Sequence, residues 1–209
     1  MGKITLELEK RIQVVLKKHI TESRKKILKI LIEYFLEKLE NNHEVNLNFI
    51  CTHNSRRSQF CQIWSYAASH YFKIPIKCHS GGTEITECNI RTINSIKLDG
   101  FLVSSENNNR HYLVSAGNNI SPIKVYSKLF NESINKNMPY AAVMTCSDAD
   151  KNCPFIPGAE KRISLPFEDP KEFDDTLIEA KKYKECSLKI ASEVFYVFNE
   201  VDKSFNPNK

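Results

Sequence analysis

The chain has 209 residues, of which 41% are hydrophobic and 26% charged, and its formal net charge is +5 at pH 7. These values are typical of a globular protein with one ordinary domain plus an extension, able to bury a core without covalent cross-links. They exclude a membrane span, because no apolar run approaches the roughly 18 residues required, and the small positive charge suits an anionic substrate but not a nucleic-acid partner.

The N-terminal sequence MGKITLELEKR is charged from its start and does not resemble a signal peptide, so we expect a cytoplasmic protein. The chain contains seven cysteines: Cys51, Cys61, Cys78, Cys88, Cys146, Cys153 and Cys186. An odd number without a secretory signal argues against a disulfide framework, and the lack of a CxxC pair argues against a zinc ribbon. We therefore expect no metal and no other bound cofactor, and cysteines that are either reactive or simply buried.

Residues 1–45 are predicted to form an N-terminal helical extension with two helices. Apolar residues recur at helical spacing in both, namely Ile4, Leu8, Ile12, Val15 and Leu16 and then Ile27, Leu28, Leu31, Phe35 and Leu39. Thr21 and Ser23 are candidate N-caps of the second helix, which the sequence ENNHEVN ends. We expect the helices to pack on the core or on a second copy of the chain, as in a homodimer.

The pattern of residues 46–209 alternates between strands and helices, which predicts an α/β fold with a four-stranded parallel sheet flanked by helices. The predicted strands are VNLNFIC, IPIKCHSGGT, YAAVMTC and RISLPF. The predicted helices are Ser58–Phe72, Asn89–Leu98 and a long one from Pro170 to about Glu200, on which the KKYK run at 181–184 reads as a solvated face. Residues 101–135 alternate around the turn-rich sequences SENNNR and SAGNNISP, which predicts an inserted β-hairpin.

Cys51 ends the first predicted strand, and therefore lies at the carboxyl edge of the sheet, where α/β folds bind ligands. The loop that follows can turn its backbone N–H groups inward as an anion nest, next to the positive end of a helix. Arg57 can hold an oxyanion through two parallel N–H bonds, Ser58 can donate to the sulfur, and Asn54 can hold the loop in shape. This arrangement favours a thiolate that attacks a tetrahedral oxyanion, and the alternative is a buried cysteine beside two solvated arginines.

Two segments carry a resemblance to a known family. CTHNSRRSQ, residues 51–59, resembles the phosphate loop of the low-molecular-weight protein tyrosine phosphatase superfamily. VMTCSDADKNCPFIPGAEKRISLPFEDP, residues 143–170, is similar to the redox segment of the thioredoxin-coupled arsenate reductases in that superfamily, and HSGGTE, residues 79–84, is similar to the family's glycine turn. The resemblance covers about residues 46–200, so we interpret residues 46–209 as the catalytic domain, with the hairpin as an insertion.

The resemblance implies a role for each matching residue. Cys51 is the nucleophile, Asp169 is the general acid, and Cys146 and Cys153 are the second and third redox cysteines. The oxyanion-binding residues are Thr52, His53, Asn54, Ser55, Arg56, Arg57 and Ser58. The six polar residues between the redox cysteines, SDADKN, are expected to be a mobile loop. Thioredoxin is the implied external reductant.

Three functions stay open, and the favoured one is reduction of arsenate through a relay from Cys51 to Cys146 and Cys153. The second is a phosphatase for phosphotyrosine or a small phosphate ester, which needs neither Cys146 nor Cys153. The third is a non-catalytic oxyanion or redox sensor, in which the N-terminal helices transmit the state of Cys51. Independently of these, Cys146 and Cys153 could form a regulatory disulfide or, with Asp148 and Asp150, part of a metal site.

The sequence departs from the family pattern at several positions. His53 stands where glycine is usual, and would be strained if the loop needs a positive φ there. Arg56 stands where cysteine is frequent, and adds a positive charge beside the loop. Gln62 replaces an acid that the potassium-binding arsenate reductases carry, so we expect no potassium ion. Glu168 competes with Asp169 as the acid, and the Asp–Pro pair favours Asp169.

Overall fold

The computed structural model describes residues 2–106, 110–132, 138–153 and 155–206. The strands are β1 (Lys3–Ile4), β2 (Val45–Cys51), β3 (Ile76–Gly82), β4 (Leu102–Glu106), β5 (His111–Ser115), β6 (Gly117–Asn118), β7 (Ile123–Val125), β8 (Tyr140–Met144) and β9 (Ala159–Ser164). The helices are α1 (Leu6–Leu16), α2 (Glu22–Glu40), α3 (Arg57–Phe72), α4 (Ile90–Leu98), α5 (Ser147–Asn152) and α6 (Glu179–Phe205). Within this described part of the chain, no helix combines the length and apolarity that crossing a membrane requires.

The central sheet has four parallel strands in the order β3-β2-β8-β9, which confirms the predicted fold class. Every residue of β2 is buried, as expected of an inner strand with both faces covered. β2 and β8 are neighbours, and the backbone N–H of Thr145 donates to Ile50 at 2.7 Å just beyond the paired residues. Cys51 and Cys146, which follow these neighbouring strands, therefore lie at the same edge of the sheet.

The N-terminal helices form as predicted, and both are capped by threonine: Thr5 accepts from Leu8 and Thr21 from Arg24. Their apolar faces join the same core as the sheet and α6, where the rings of Phe35 and Phe198 meet edge to face with centroids 5.1 Å apart. The extension is therefore packed on the rest of this chain, and the division of the chain at residue 45 stays a prediction.

The inserted segment forms a three-stranded antiparallel sheet in the order β4-β5-β7. The predicted hairpin corresponds to β4 and β5, and its residues 107–109 and 133–135 lie outside the described residues. After β7 the chain returns to the central sheet, where the backbone N–H of Gly82 donates to the carbonyl of Lys128 at 2.8 Å. The insertion thus ends beside the carboxyl edge that carries Cys51.

Two element predictions near this edge were wrong. The C-terminal helix does not begin at Pro170: a 3₁₀ turn, Pro170–Phe173, precedes it, and α6 begins at Glu179 because Asp175 has a left-handed backbone with φ of 62°. The sequence SDADKN is not a loop but the helix α5, in which the sulfur of Cys146 accepts the N–H of Ala149 at 3.4 Å. A thiol is not among the usual N-cap groups, so the sequence pattern did not reveal this start.

Candidate active site

Cys51 is buried at the base of the loop, and a chain of polar side chains leads to its sulfur. The Oδ1 atom of Asn54 accepts the backbone N–H of Lys128 at 3.1 Å, so its Nδ2 atom must face Ser58, at 2.9 Å. Ser58 accepts that bond and has one proton left to donate, and its Oγ atom lies 3.1 Å from the sulfur of Cys51. A hydroxyl that is able to donate therefore lies within hydrogen-bond reach of the sulfur of Cys51.

The loop makes its sharp turn at Asn54, which has a φ of 47°, rather than at His53. Asparagine tolerates this left-handed region better than most residues, so the strain considered for His53 does not arise. The carbonyl of His53 accepts the hydroxyls of Thr86 and Ser127 at 3.0 and 2.9 Å. Its imidazole is partly exposed and lies 3.4 Å from a carboxylate oxygen of Glu84, at the rim of the pocket.

Arg57 and Asp169 close the pocket above the thiol, which is lined by Cys51, His53, Ser55, Arg56, Arg57 and Asp169. The Nη2 atom of Arg57 donates to Oδ2 of Asp169 at 2.5 Å, and Nη1 donates to the carbonyl of Phe167 at 3.1 Å. Glu168 is exposed and lines only an adjoining outer cleft, which shares Arg57 and Asp169 with the pocket. Of the two neighbouring acids, Asp169 is therefore the one that faces Cys51.

The side chain of Arg56 joins the loop to the segment that carries Asp169, and its Nη1 atom lies 3.9 Å from Oδ1 of Asp169. Its Nε atom donates to the hydroxyl of Tyr183 at 2.9 Å, and Nη2 lies 3.7 Å from Asp174. Tyr183 in turn donates to Asp174 at 2.7 Å. Burial and this hydrogen bond raise the pKa of Tyr183, so the hydroxyl remains a donor. The prediction that the KKYK run is a solvated face is thus wrong at Tyr183, which is buried.

Cys146 is fully buried beside the loop, with its sulfur 3.6 Å from Oγ1 of Thr52. Cys51 and Cys146 belong to one apolar cluster, and Cys153 packs against it from the far end of α5. A helix rise of 1.5 Å per residue puts the α-carbons of Cys146 and Cys153 roughly 10 Å apart. Because a disulfide needs about 4.4–6.8 Å between α-carbons, this pair can bond only if α5 unwinds.

The guanidinium of Arg162, a residue of β9, holds α5 in place. Its guanidinium donates to the side chain of Asp150 at 2.6 Å and to the carbonyl of Cys153 at 3.2 Å, while Ser164 donates to the same carboxylate at 2.6 Å. Asp150 is therefore engaged by protein donors. Nowhere in the described ranges do three or more His, Cys, Asp or Glu side chains gather as a group that could hold a metal ion.

The other four cysteines are poor nucleophiles. Burial raises the pKa of Cys78, Cys88 and Cys186 to about 12, and it also raises the pKa of the fully enclosed Cys61. These thiols remain protonated at neutral pH, and a thiol that keeps its proton reacts slowly.

No family model matches the chain. Over 122 residues the chain is 30% identical to arsenate reductases from Staphylococcus epidermidis and Staphylococcus aureus, a match that covers 58% of this chain and 76% of each relative. A solved YwlE mutant from Bacillus subtilis aligns with a TM-score of 0.52 and 11% identity, over 76% of this chain and 99% of that one. The low-molecular-weight protein tyrosine phosphatase from T. tengcongensis aligns with a TM-score of 0.51 and 13% identity, over 75% and 99%. At such identities the two structures support the fold alone.

Proposed function

Because the chain belongs to the low-molecular-weight protein tyrosine phosphatase superfamily, whose arsenate reductases are its sequence relatives, we propose that it reduces arsenate to arsenite. As a member, it is a cysteine-based enzyme of the phosphatase or arsenate reductase type. The observation that carries the finer proposal is the position of Cys146, beside the loop in one apolar cluster with Cys51. Cys153 at the other end of α5 supplies the third thiol. A phosphatase would need neither.

The first step uses Cys51, Arg57 and Asp169. Arsenate binds to the backbone N–H groups of Thr52 to Arg57 and to the guanidinium of Arg57. The thiolate of Cys51 attacks arsenic, a sulfur–arsenic bond forms, and an arsenic–oxygen bond breaks. Asp169 gives its proton to the departing oxygen, which leaves as water. Arsenic remains in its +5 state at this point, so a reduction must follow.

The second step is thiol exchange along the relay. The thiolate of Cys146 attacks the sulfur of Cys51, so that a disulfide forms while the sulfur–arsenic bond breaks and leaves its electron pair on arsenic as arsenite. Cys153 then attacks Cys146, which frees Cys51 and leaves a disulfide between Cys146 and Cys153. The disulfide between Cys146 and Cys153 can form only if α5 unwinds, because the helix holds the two α-carbons too far apart. A dithiol protein such as thioredoxin restores both thiols.

Paired assays on one preparation test the relay. In Cys146→Ser and Cys153→Ser we expect steady-state arsenite release with a thioredoxin system to fall by at least about 100-fold, because each variant blocks one exchange step. Hydrolysis of p-nitrophenyl phosphate should stay within about twofold of the wild type, since it needs only the first half of the site. Cys78→Ser, at a half-buried thiol away from the loop, is the matched control.

Three results would contradict the proposal. Arsenite release that survives in both cysteine variants would remove the relay. A wild type that hydrolyses the ester briskly and releases no arsenite would make the protein a phosphatase with a regulatory cysteine pair. A wild type with neither activity would favour the sensor, although an acid that faces the thiol has no use in a protein that only binds.

A phosphatase is the second candidate, and the position of Asp169 in the pocket favours it. Asp169 would protonate the leaving oxygen and then activate water against the phosphoenzyme on Cys51. We expect Asp169→Asn to lower kcat for p-nitrophenyl phosphate by about 100-fold, the usual contribution of a general acid. Glu168→Gln is the matched control, and an equal loss in both variants would show that Asp169 is not the acid.

The reductant and the assembly also belong to this proposal. We propose thioredoxin as the reductant, because the relay ends in a disulfide that a dithiol must open. The homodimer expected from the N-terminal helices stays a prediction. Those helices bury apolar residues such as Leu8, Ile12 and Leu28 within the core of the same chain.

A further inference from the structure

Lys128, which follows the inserted sheet, is buried beneath the oxyanion loop with 7% of its surface exposed. Its ammonium lies 3.2 Å from the carbonyl of Tyr126 and 3.5 Å from the hydroxyl of Ser80, and 4.4 Å above the centre of the Tyr126 ring. Burial lowers the pKa of Lys128 to about 8. Burying an ammonium costs free energy, so we looked for what the buried Lys128 contributes to the site.

The ammonium fixes the direction of a hydrogen-bond chain that ends on the loop. An ammonium can only donate, so the hydroxyl of Ser80 accepts from Lys128 and must pass its own proton to a glutamine oxygen. Ser80 has one proton, and the two oxygens that can accept it are Oε1 of Gln62 at 2.6 Å and Oε1 of Gln59 at 3.1 Å. Because Oε1 of Gln59 faces Ser80, its Nε2 atom donates to the carbonyls of Asn54 and Tyr126, both at 2.9 Å.

The backbone of the same residue anchors a second chain. The N–H of Lys128 donates to Oδ1 of Asn54, which directs Nδ2 of that side chain to Ser58, and the hydroxyl of Ser58 lies 3.1 Å from the sulfur of Cys51. Both chains meet at Asn54, the residue whose left-handed backbone shapes the loop. Lys128 thus holds Asn54 through its main chain and, by way of Ser80 and Gln59, through its ammonium.

We propose that Lys128 is a positioning residue for the oxyanion site, whose ammonium sets the hydrogen-bond directions that hold Asn54 and the loop around Cys51. The inference rests on the proposed function of this site and adds to it a residue from the inserted segment. Lys128 does not touch the reacting atoms. It acts through Ser80, Gln59 and Asn54.

Lys128→Ala tests the proposal by chemical rescue. At pH 7 we expect the dissociation constant for inorganic phosphate, measured by calorimetry, to rise about tenfold. Hydrogen exchange of the backbone amides in residues 52–57 should become faster by a similar factor. Ammonium chloride should restore both, because the ion fits the vacated space and donates, whereas tetramethylammonium chloride at equal ionic strength should restore neither. Lys124→Ala, on the exposed side of β7, should behave as the wild type.

Equal recovery with both salts would show that Lys128 only fills space, and would overturn the proposal. If Lys128→Ala does not fold, Lys128→Met keeps the apolar stem without a donor and should show the same two losses. Wild-type phosphate affinity and loop exchange in Lys128→Met would also overturn it. The exchange measurement needs no substrate, so a protein that neither binds phosphate nor releases arsenite would refute the proposed function while the loop amides still decide the role of Lys128.

Discussion

Replacing Cys51 by alanine is expected to lower both arsenite release and p-nitrophenyl phosphate hydrolysis by roughly 10⁴-fold or more, since removal of a catalytic nucleophile has effects of this size. Both reactions begin with a bond to the sulfur of Cys51, and alanine leaves no nucleophilic atom at this position. Four of the other thiols, Cys61, Cys78, Cys88 and Cys186, cannot substitute for it, because burial raises their pKa.

The control for this variant is its ability to bind an oxyanion. The side chain of Cys51 is buried, so the loss of its sulfur leaves only a small cavity, and the loop N–H groups and Arg57 remain. We expect Cys51→Ala to fold and still to bind inorganic phosphate in calorimetry, with an affinity within about tenfold of the wild type. Activity above one per cent of the wild type in a preparation free of wild-type protein would contradict the assignment of Cys51 as the nucleophile.

The fold and the centre of the site were predictable because they depend on local patterns. An apolar run such as VNLNFIC, fully buried in β2, signals an inner parallel strand. The residue that ends such a strand lies at the carboxyl edge of the sheet, which places Cys51 and the loop after it. Parallel pairing of β2 with β8 then brings Cys146 to the same edge.

The hydrogen bonds that hold the loop in place were not predictable, because most of them join residues far apart in the chain. Tyr183 bonds to Arg56 across 127 positions, and Lys128 bonds to Asn54 across 74. Periodicity reports which face of an element is buried but not which element lies opposite. A local feature was also missed: Asp175 has a left-handed backbone just before α6, and aspartate adopts this conformation too rarely for the residue type to predict it.

Arg57→Lys is expected to reduce kcat/KM for both arsenate and p-nitrophenyl phosphate by about 1,000-fold, or about 4 kcal/mol. Lysine keeps the positive charge but loses the planar fork that can hold two oxygens at once. In the structure that fork binds Asp169 and the carbonyl of Phe167. In the proposed mechanism an oxyanion above Cys51 competes with Asp169 for Nη2, and its binding would release Asp169 towards the oxygen to be protonated. Lysine, with one point of attachment, cannot make that exchange.

The neighbouring arginine provides a matched control for this effect. Arg56 has the same charge and also lines the pocket, but its guanidinium donates to Tyr183 and lies 3.7 Å from Asp174 and 3.9 Å from Asp169, without the close bond to Asp169 that Arg57 makes. Arg56→Lys should therefore weaken only the attachment of the loop to the acid segment, with a loss of about tenfold or less in kcat/KM. Steady-state kinetics with both substrates measures the difference. Equal losses of kcat/KM in the two variants would mean that positive charge alone binds the oxyanion. We expect instead a loss about 100-fold larger in Arg57→Lys, which would show that the planar geometry of the Arg57 guanidinium is needed.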